Sequence, residues 1–235
     1  MIEKDKIQKK FEKQIKEYDK NAVVQKEMAK KLVSILPEKE YKNILEIGSY
    51  SGILTSEIKK NINFSSYFAL DVVEESKDYL KKIDENIEFL RADIENFDTK
   101  EKFDLIISNA VLQWCSDFEG TIKKLKNFLK PKGILAVSIF SPENFKEIKA
   151  TFNVSLSYPE DKLLKSLFSK VIYSEERQLK FNTPNEVLKH LKSTGVNSLS
   201  PSPLTYKHIK ENLKRINEEY DNTLTYTPVY LIYQN

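Results

Sequence analysis

Ile44-Leu45-Glu46-Ile47 runs apolar into a turn punctuated by glycine, Gly48-Ser49-Tyr50-Ser51-Gly52, and further on a second apolar run, Phe68-Ala69-Leu70, ends on Asp71. Near-continuous apolar runs of this length read as strands buried on both faces of a parallel sheet. The glycine turn between them reads as the connection from strand to helix. Open sheets of this kind bind ligands at the carboxyl ends of their strands, so Glu46 and Asp71 are candidate site residues before anything else is known. A dinucleotide fingerprint would need G-x-G-x-x-G so that backbone can approach a pyrophosphate. Counting from Gly48, those positions hold Tyr50 and Ile53, and the Glu46 carboxylate would repel phosphate. Two carboxylates at strand ends suit instead a ligand that offers an amine and a ribose diol.

From Tyr41 onward the pattern alternates. Strands are expected at Asn43–Gly48, Tyr67–Asp71, Ile87–Arg91, Phe103–Ser108 and Gly133–Phe140, with helices near 52–61, 74–83 and 117–130. Phe118, Ile122, Leu125, Phe128 and Leu129 form one apolar stripe before the Pro131-Lys132-Gly133 turn. Alternating β and α elements imply a parallel sheet covered by helices on both faces, wound by right-handed crossovers. Upstream, Ile7, Phe11, Ile15 and Tyr18 share a helical face over 5–20, and a second helix over 22–36 stops at Pro37. After Phe140 come helices near 142–151 and 160–168 and a strand around 170–180. Thr183-Pro184-Asn185-Glu186 reads as a capping box opening a helix to about Ser193, and a last helix covers 205–219. The run Leu224–Tyr233 reads as a final strand with Pro228 at its beginning or at a bulge. The whole of 1–235 is read as one domain, in which the N-terminal helices (about 1–36), the segment 142–168 and the loop 194–204 cover the ligand.

Composition narrows the classes. A net charge of +3 over 235 residues gives no argument for nucleic acid, and no apolar run reaches the length of a membrane span. The lysine-rich start has no apolar signal core. Cys115 is the single cysteine, which forbids an internal disulfide and points to a reducing cytoplasm. With two histidines besides, His190 and His208, no metal site is expected.

Glu46-Ile47-Gly48-x-x-x-Gly52 resembles the first motif of class I S-adenosylmethionine-dependent methyltransferases, with Tyr50 in place of the middle glycine. Asp71 matches the second motif, the acid on the ribose hydroxyls. Arg91-Ala92-Asp93-Ile94-Glu95 matches the third, at the adenine, and Phe103–Ala110 the fourth, along the methionine arm. The resemblance implies a Rossmann-like α/β fold with a seven-stranded, mostly parallel sheet. It also implies S-adenosylmethionine as cofactor, held by Tyr18, Gln25, Glu46, Gly48, Ser49, Gly52, Asp71, Val72, Asp93, Ile94, Asn109 and Ala110. Further stretches narrow it. Phe11-x6-Tyr18-Asp19-x2-Ala22-Val23-Val24-Gln25, Asn109-Ala110-x-Leu112-Gln113-Trp114, Phe140-x-Pro142-Glu143-Asn144-Phe145, Leu191-Lys192-x-Thr194-Gly195-Val196-Asn197 and Leu224-Thr225-Tyr226 are similar to the malonyl-[acyl-carrier protein] O-methyltransferases of biotin synthesis.

That likeness implies methyl transfer to a malonyl carboxylate borne on an acyl-carrier protein or on coenzyme A. Such a nucleophile is anionic at neutral pH and needs no general base. Tyr18, Gln113, Trp114 and Tyr226 are the candidates for positioning it, with packing as the plainer account of each. Arg177 and Lys180 are read more readily as solvated charges. Lys123, Lys124, Lys126, Lys130 and Lys132 offer a face to an acidic carrier, or form an ordinary solvated helix surface. Two other readings stand beside this one: a methyltransferase of the same fold acting on another small acid or an aromatic metabolite, and a cofactor-binding regulator without catalysis.

Overall fold

Each strand of the central sheet alternates between two apolar layers, and that alternation places the helices. The computed structural model describes Ile15 and residues 18–38, 40–194 and 205–235. The expected helix over 5–20 lies mostly outside the described residues, as does the loop 194–204 apart from Thr194. After helix α1 (Val23–Ser34), β1 (Asn43–Ile47), α2 (Ile53–Asn61), β2 (Ser66–Asp71), α3 (Ser76–Ile83), β3 (Glu88–Arg91) and β4 (Phe103–Asn109) follow in turn. Then come α4 (Phe118–Asn127), β5 (Leu129–Phe140), α5 (Lys146–Phe152), α6 (Asp161–Leu167), β6 (Lys170–Tyr173) and β7 (Arg177–Lys180). The chain closes with α7 (Pro184–Ser193), α8 (Tyr206–Tyr220), β8 (Thr223–Tyr226) and β9 (Pro228–Gln234).

Seven strands form one sheet in the order β3-β2-β1-β4-β5-β9-β6, in which β9 runs antiparallel to both its neighbours. The order reverses between β1 and β4, which makes the crevice at their carboxyl ends the expected ligand site. Ile44, Leu105, Ile107 and Ile134 face a layer shared with α1 and α2, while Leu45, Ile106, Leu135 and Val137 face one shared with α4 and α6. Successive strand residues point to opposite faces, so one chain segment feeds both layers.

Four expectations change. The strand expected over 170–180 is two strands, and so is the run 224–233. β6 pairs with β9 in the large sheet, while β7 pairs with β8 in a separate two-stranded sheet. Both runs break at one corner, where Thr227 separates β8 from β9 and Ser174 N–H donates to the Pro228 carbonyl at 3.0 Å. Pro228 opens β9, where the missing N–H is tolerated. The Pro131-Lys132-Gly133 turn falls inside β5, between the pairs Phe103↔Leu129 and Leu105↔Ile134. Finally, α6 does not cover the ligand face: Leu164, Leu167 and Phe168 pack into the layer with α4.

Candidate functional site

At the carboxyl ends of β1, β2 and β4 a cavity of about 500 Å³ opens, within the size range of small-molecule sites. Its floor is the glycine turn. Gly48 and Gly52 have φ of 76° and 82°, and a Cβ at Gly48 would strike the Val111 side chain at 2.2 Å. Tyr50, between them, also takes a left-handed φ of 40°. The conformation a glycine would adopt is thus kept by a tyrosine, whose ring is 9% exposed and meets Tyr18 edge to face at 4.8 Å. That contact answers the question raised by the missing glycine: Tyr50 folds onto the helical turn at Tyr18 and both rings border the cavity.

Asp71, at the end of β2, ties this turn down. Its Oδ2 accepts from Tyr50 N–H and its Oδ1 from Val73 N–H, both at 2.8 Å. Burial pushes the carboxyl up to about 6, although the backbone donors pull it the other way. Val72 N–H also favours the carboxylate, and the Asp71 side chain borders the cavity, as do Gly48, Ser49 and Val72. On the third strand's loop, Asp93 and Ile94 line the same cavity, with Asp93 Oδ1 accepting from Glu95 N–H at 2.9 Å. Glu95 in turn accepts from Ser116 and Asp117 N–H, and Lys124 donates to the Ile94 and Glu95 carbonyls. The loops after β3 and β4 are therefore tied to each other and to α4.

Along the opposite wall, Asn109 at the end of β4 bridges three elements. Its amide donates to the Gln25 carbonyl of α1 at 3.0 Å, and its oxygen accepts from Ser138 Oγ of β5 at 2.6 Å. Ala110, Gln113 and Trp114 continue the wall, and Gln113 donates its amide to the Ala110 carbonyl. The far end is closed by Asn144, Phe145, Leu156, Tyr158, Thr194 and Tyr226.

Most of the predicted site residues converge here, and two do not. Glu46 and Gly52 do not line the cavity among the described residues. β1 continues one residue beyond Glu46, and strand alternation turns its side chain into the α1–α2 layer. There Glu46 is fully buried; its Oε2 accepts from Tyr67 OH at 2.5 Å and Thr55 Oγ1 at 2.6 Å, while its Oε1 is buried without a protein partner. Burial lifts its carboxyl to about 7. Beside the carboxylates of Asp71 and Asp93, further acceptors on the cavity wall come from residues without formal charge. Gln25 Oε1, Gln113 Oε1, Ser49 Oγ and Ser51 Oγ are buried on the cavity wall without a protein partner. Buried polar atoms are ordinarily satisfied, so these four mark where a polar ligand belongs. Amide, hydroxyl and carboxylate acceptors beside an apolar wall fit the amine, diol and sulfonium of S-adenosylmethionine.

The basic candidates are engaged elsewhere. Arg177 pairs with Glu27 at 3.0 Å and Lys180 with Asp221, both on the surface. Lys123 pairs with Glu119, Lys126 reaches the Leu167 carbonyl, and Lys130 pairs with Asp104. The face offered to a carrier protein thus has much of its charge committed internally. Sequence inspection passed over Tyr158 and His190 as site residues, because no local spacing connects them to the strand ends.

The fold and this cavity define a class I methyltransferase. A family profile described as a methyltransferase domain matches residues 21–193. The solved N-methyltransferase NodS from Bradyrhizobium japonicum, in complex with S-adenosyl-L-homocysteine, superposes with a TM-score of 0.54 at 16% identity, covering 89% of this chain and 86% of that one. Closer in sequence is the malonyl-[acyl-carrier protein] O-methyltransferase of Calditerrivibrio nitroreducens, 36% identical over 226 residues, 92% of this chain and 90% of that one. The protein of the same name from Chlorobium luteolum is 32% identical, over 98% and 95% of the two chains. The chain belongs to the malonyl-[acyl-carrier protein] O-methyltransferase family.

Proposed function

We propose that the protein methylates the free carboxylate of a malonyl thioester carried by acyl-carrier protein, at an early step of biotin synthesis. The observation that carries this reading is the match to relatives of that name over nine tenths or more of both chains. When bound, S-adenosylmethionine supplies a methyl carbon activated by its sulfonium; the acceptor oxygen bonds to that carbon as the carbon–sulfur bond breaks, leaving S-adenosylhomocysteine.

The chain's own residues then have three tasks. Asp71 and Asp93, at the tips of the second and third strands, hold the sugar and purine, while Gln25 Oε1 accepts from the amino-acid end in the place expected of Glu46. Phe140, Phe145 and Leu156 exclude water at the reacting end, withdrawing the hydration that would favour the charged reactants over a transition state in which their charges cancel. Orientation comes from neutral donors, since no lysine or arginine lines the cavity among the described residues. That suits the chemistry. A cation held against the attacking oxygen would stabilise the charge that the transition state must lose, and so oppose the reaction. Because a carboxylate is already ionised at neutral pH, acceleration rests on positioning and desolvation rather than on a base.

Incubation with methyl-labelled cofactor and malonyl-carrier protein tests this directly. Label in a base-labile methyl ester on the carrier is the expected result. Label only on free small acids or aromatic hydroxyls would overturn it in favour of another acceptor.

A further inference from the structure

A buried histidine stands behind the far wall of the cavity, in contact with a tyrosine that borders it. His190 lies on α7, is 7% exposed, and its Nε2 sits 2.6 Å from the Tyr226 hydroxyl. Phe181 packs on the imidazole at 5.1 Å between ring centroids. Removal from water brings the imidazole down to about 4, so it is neutral at pH 7. Tyr226 ends β8, outside the large sheet, and is wedged between Phe140 and Phe145 with its ring bordering the cavity. Burial lifts its phenol far above the ordinary value, with the nearby Tyr18 and Tyr158 adding to the effect, so it keeps its proton at neutral pH.

The tautomer decides what Tyr226 offers. If His190 Nε2 were bare, the tyrosine proton would point at it and away from the cavity. If Nε2 carries the proton, the imidazole donates to the phenol oxygen and the tyrosine proton is left for Thr194 Oγ1 or for an acceptor in the cavity, both of which border Tyr226. The Thr194 hydroxyl, also in hydrogen-bond contact with Tyr226, cannot replace the histidine as donor, because its own proton goes to the His190 carbonyl at 2.9 Å; its oxygen is the resting acceptor of the tyrosine proton, which a carboxylate, the stronger acceptor, takes over when it binds. A carboxylate offers only acceptors, so the second arrangement alone matches an anionic ligand. Location decides which ligand. Asp71 and Asp93 stand at the β2 and β3 tips, whereas Tyr226 closes the opposite end together with Asn144, Phe145 and Tyr158.

We propose that His190 is a positioning residue that donates from Nε2 to Tyr226, turning the Tyr226 hydroxyl proton into the cavity to hold the non-attacking oxygen of the acceptor carboxylate. The inference rests on the carboxylate-methylating function proposed above. It adds a specificity device: a single neutral donor fixes one oxygen and leaves the other with its full charge for attack.

Two measurements test it. The chain has only two histidines, His190 and His208, so long-range proton–nitrogen NMR spectra of the whole protein resolve the tautomer of each. His190 is expected in the Nε2–H form at pH 7; the Nδ1–H form would overturn the proposal whatever acceptor the enzyme takes. Kinetics supply the second test. His190→Phe and Tyr226→Phe are each expected to lower kcat/KM for malonyl-carrier protein roughly 10- to 100-fold, the loss of one hydrogen bond to a charged group. Calorimetric affinity for S-adenosylhomocysteine should stay unchanged, and the double variant should be no worse than the poorer single one. His190→Gln, whose amide can donate from a similar place, should recover most of the activity. Additive losses, an unchanged acceptor KM, or weakened binding of S-adenosylhomocysteine would each overturn the role. Failure of the wild-type protein to esterify any malonyl thioester would instead count against the function on which the role rests.

Discussion

Two buried carboxylates, Glu46 and Asp71, end neighbouring strand segments and have opposite fates. Glu46 accepts from two hydroxyls in an apolar layer and is raised from an ordinary 4.5 to about 7. The folded chain therefore holds that proton more tightly than the unfolded one. Its stabilising contribution is complete below about 4.5 and is lost as pH rises through 7. Glu46→Gln keeps an acceptor for Tyr67 and Thr55 without the charge. Between pH 5 and 8, denaturant melts should show the wild type losing up to about 3 kcal/mol more stability than the variant; parallel curves would contradict the assignment. Asp71 instead meets two backbone N–H groups and the cavity. In Asp71→Asn an amide N–H must face one of those donors, a mismatch of about 2 kcal/mol. Calorimetry should report S-adenosylhomocysteine affinity reduced by at least about tenfold. The acid at each strand end is plain in the sequence, but which face it occupies depends on how many residues the strand continues beyond it.

At the scale of the element, α7 and the segment 144–158 build the far wall. Thr183 caps α7 by accepting from Glu186 N–H at 3.3 Å, while Glu186 reaches back to Asn182 N–H at 3.0 Å, one residue before the cap. The capping signature and the proline at the first helical position were readable from spacing alone, because capping is local chemistry. Thr183→Ala should lower stability by about 1 kcal/mol in denaturant melts and leave S-adenosylhomocysteine affinity intact. Less legible was the cover. Asn144 donates to Tyr158 OH at 3.0 Å and accepts from Thr227 N–H at 3.2 Å, pinning both ends of this segment to the corner between β8 and β9. Only the tertiary fold brings those three residues together. Asn144→Ala leaves the buried Thr227 N–H without this acceptor, which costs roughly 1–3 kcal/mol. The expected readout is earlier cleavage within 150–160 in limited proteolysis and a raised acceptor KM; unchanged proteolysis would show that the segment is held by other contacts.

For the whole molecule, the cavity joins residues from α1, from the ends of β1 to β5, from the cover and from β8, so occupancy is coupled to global stability. At a hundredfold excess over Kd, S-adenosylhomocysteine should stabilise the fold by about 2.7 kcal/mol, raising Tm by roughly 5–10 °C in a chain of this size. A thermal scan with and without the ligand checks this, and Asp71→Asn should shorten the shift. Alternation of strands and helices and the acids at strand ends were in the sequence, because periodicity and turn chemistry act between near neighbours, whereas the order of the strands was settled only by the fold. The sequence by itself determined the parallel sheet, its ligand edge and Asp71 upon that edge. What only the tertiary structure decided was the turning of Glu46 into a hydrophobic layer, the packing of Tyr50 on Tyr18, and the meeting of His190 with Tyr226. Each depends on where distant segments come to rest, and no short-range pattern encodes that.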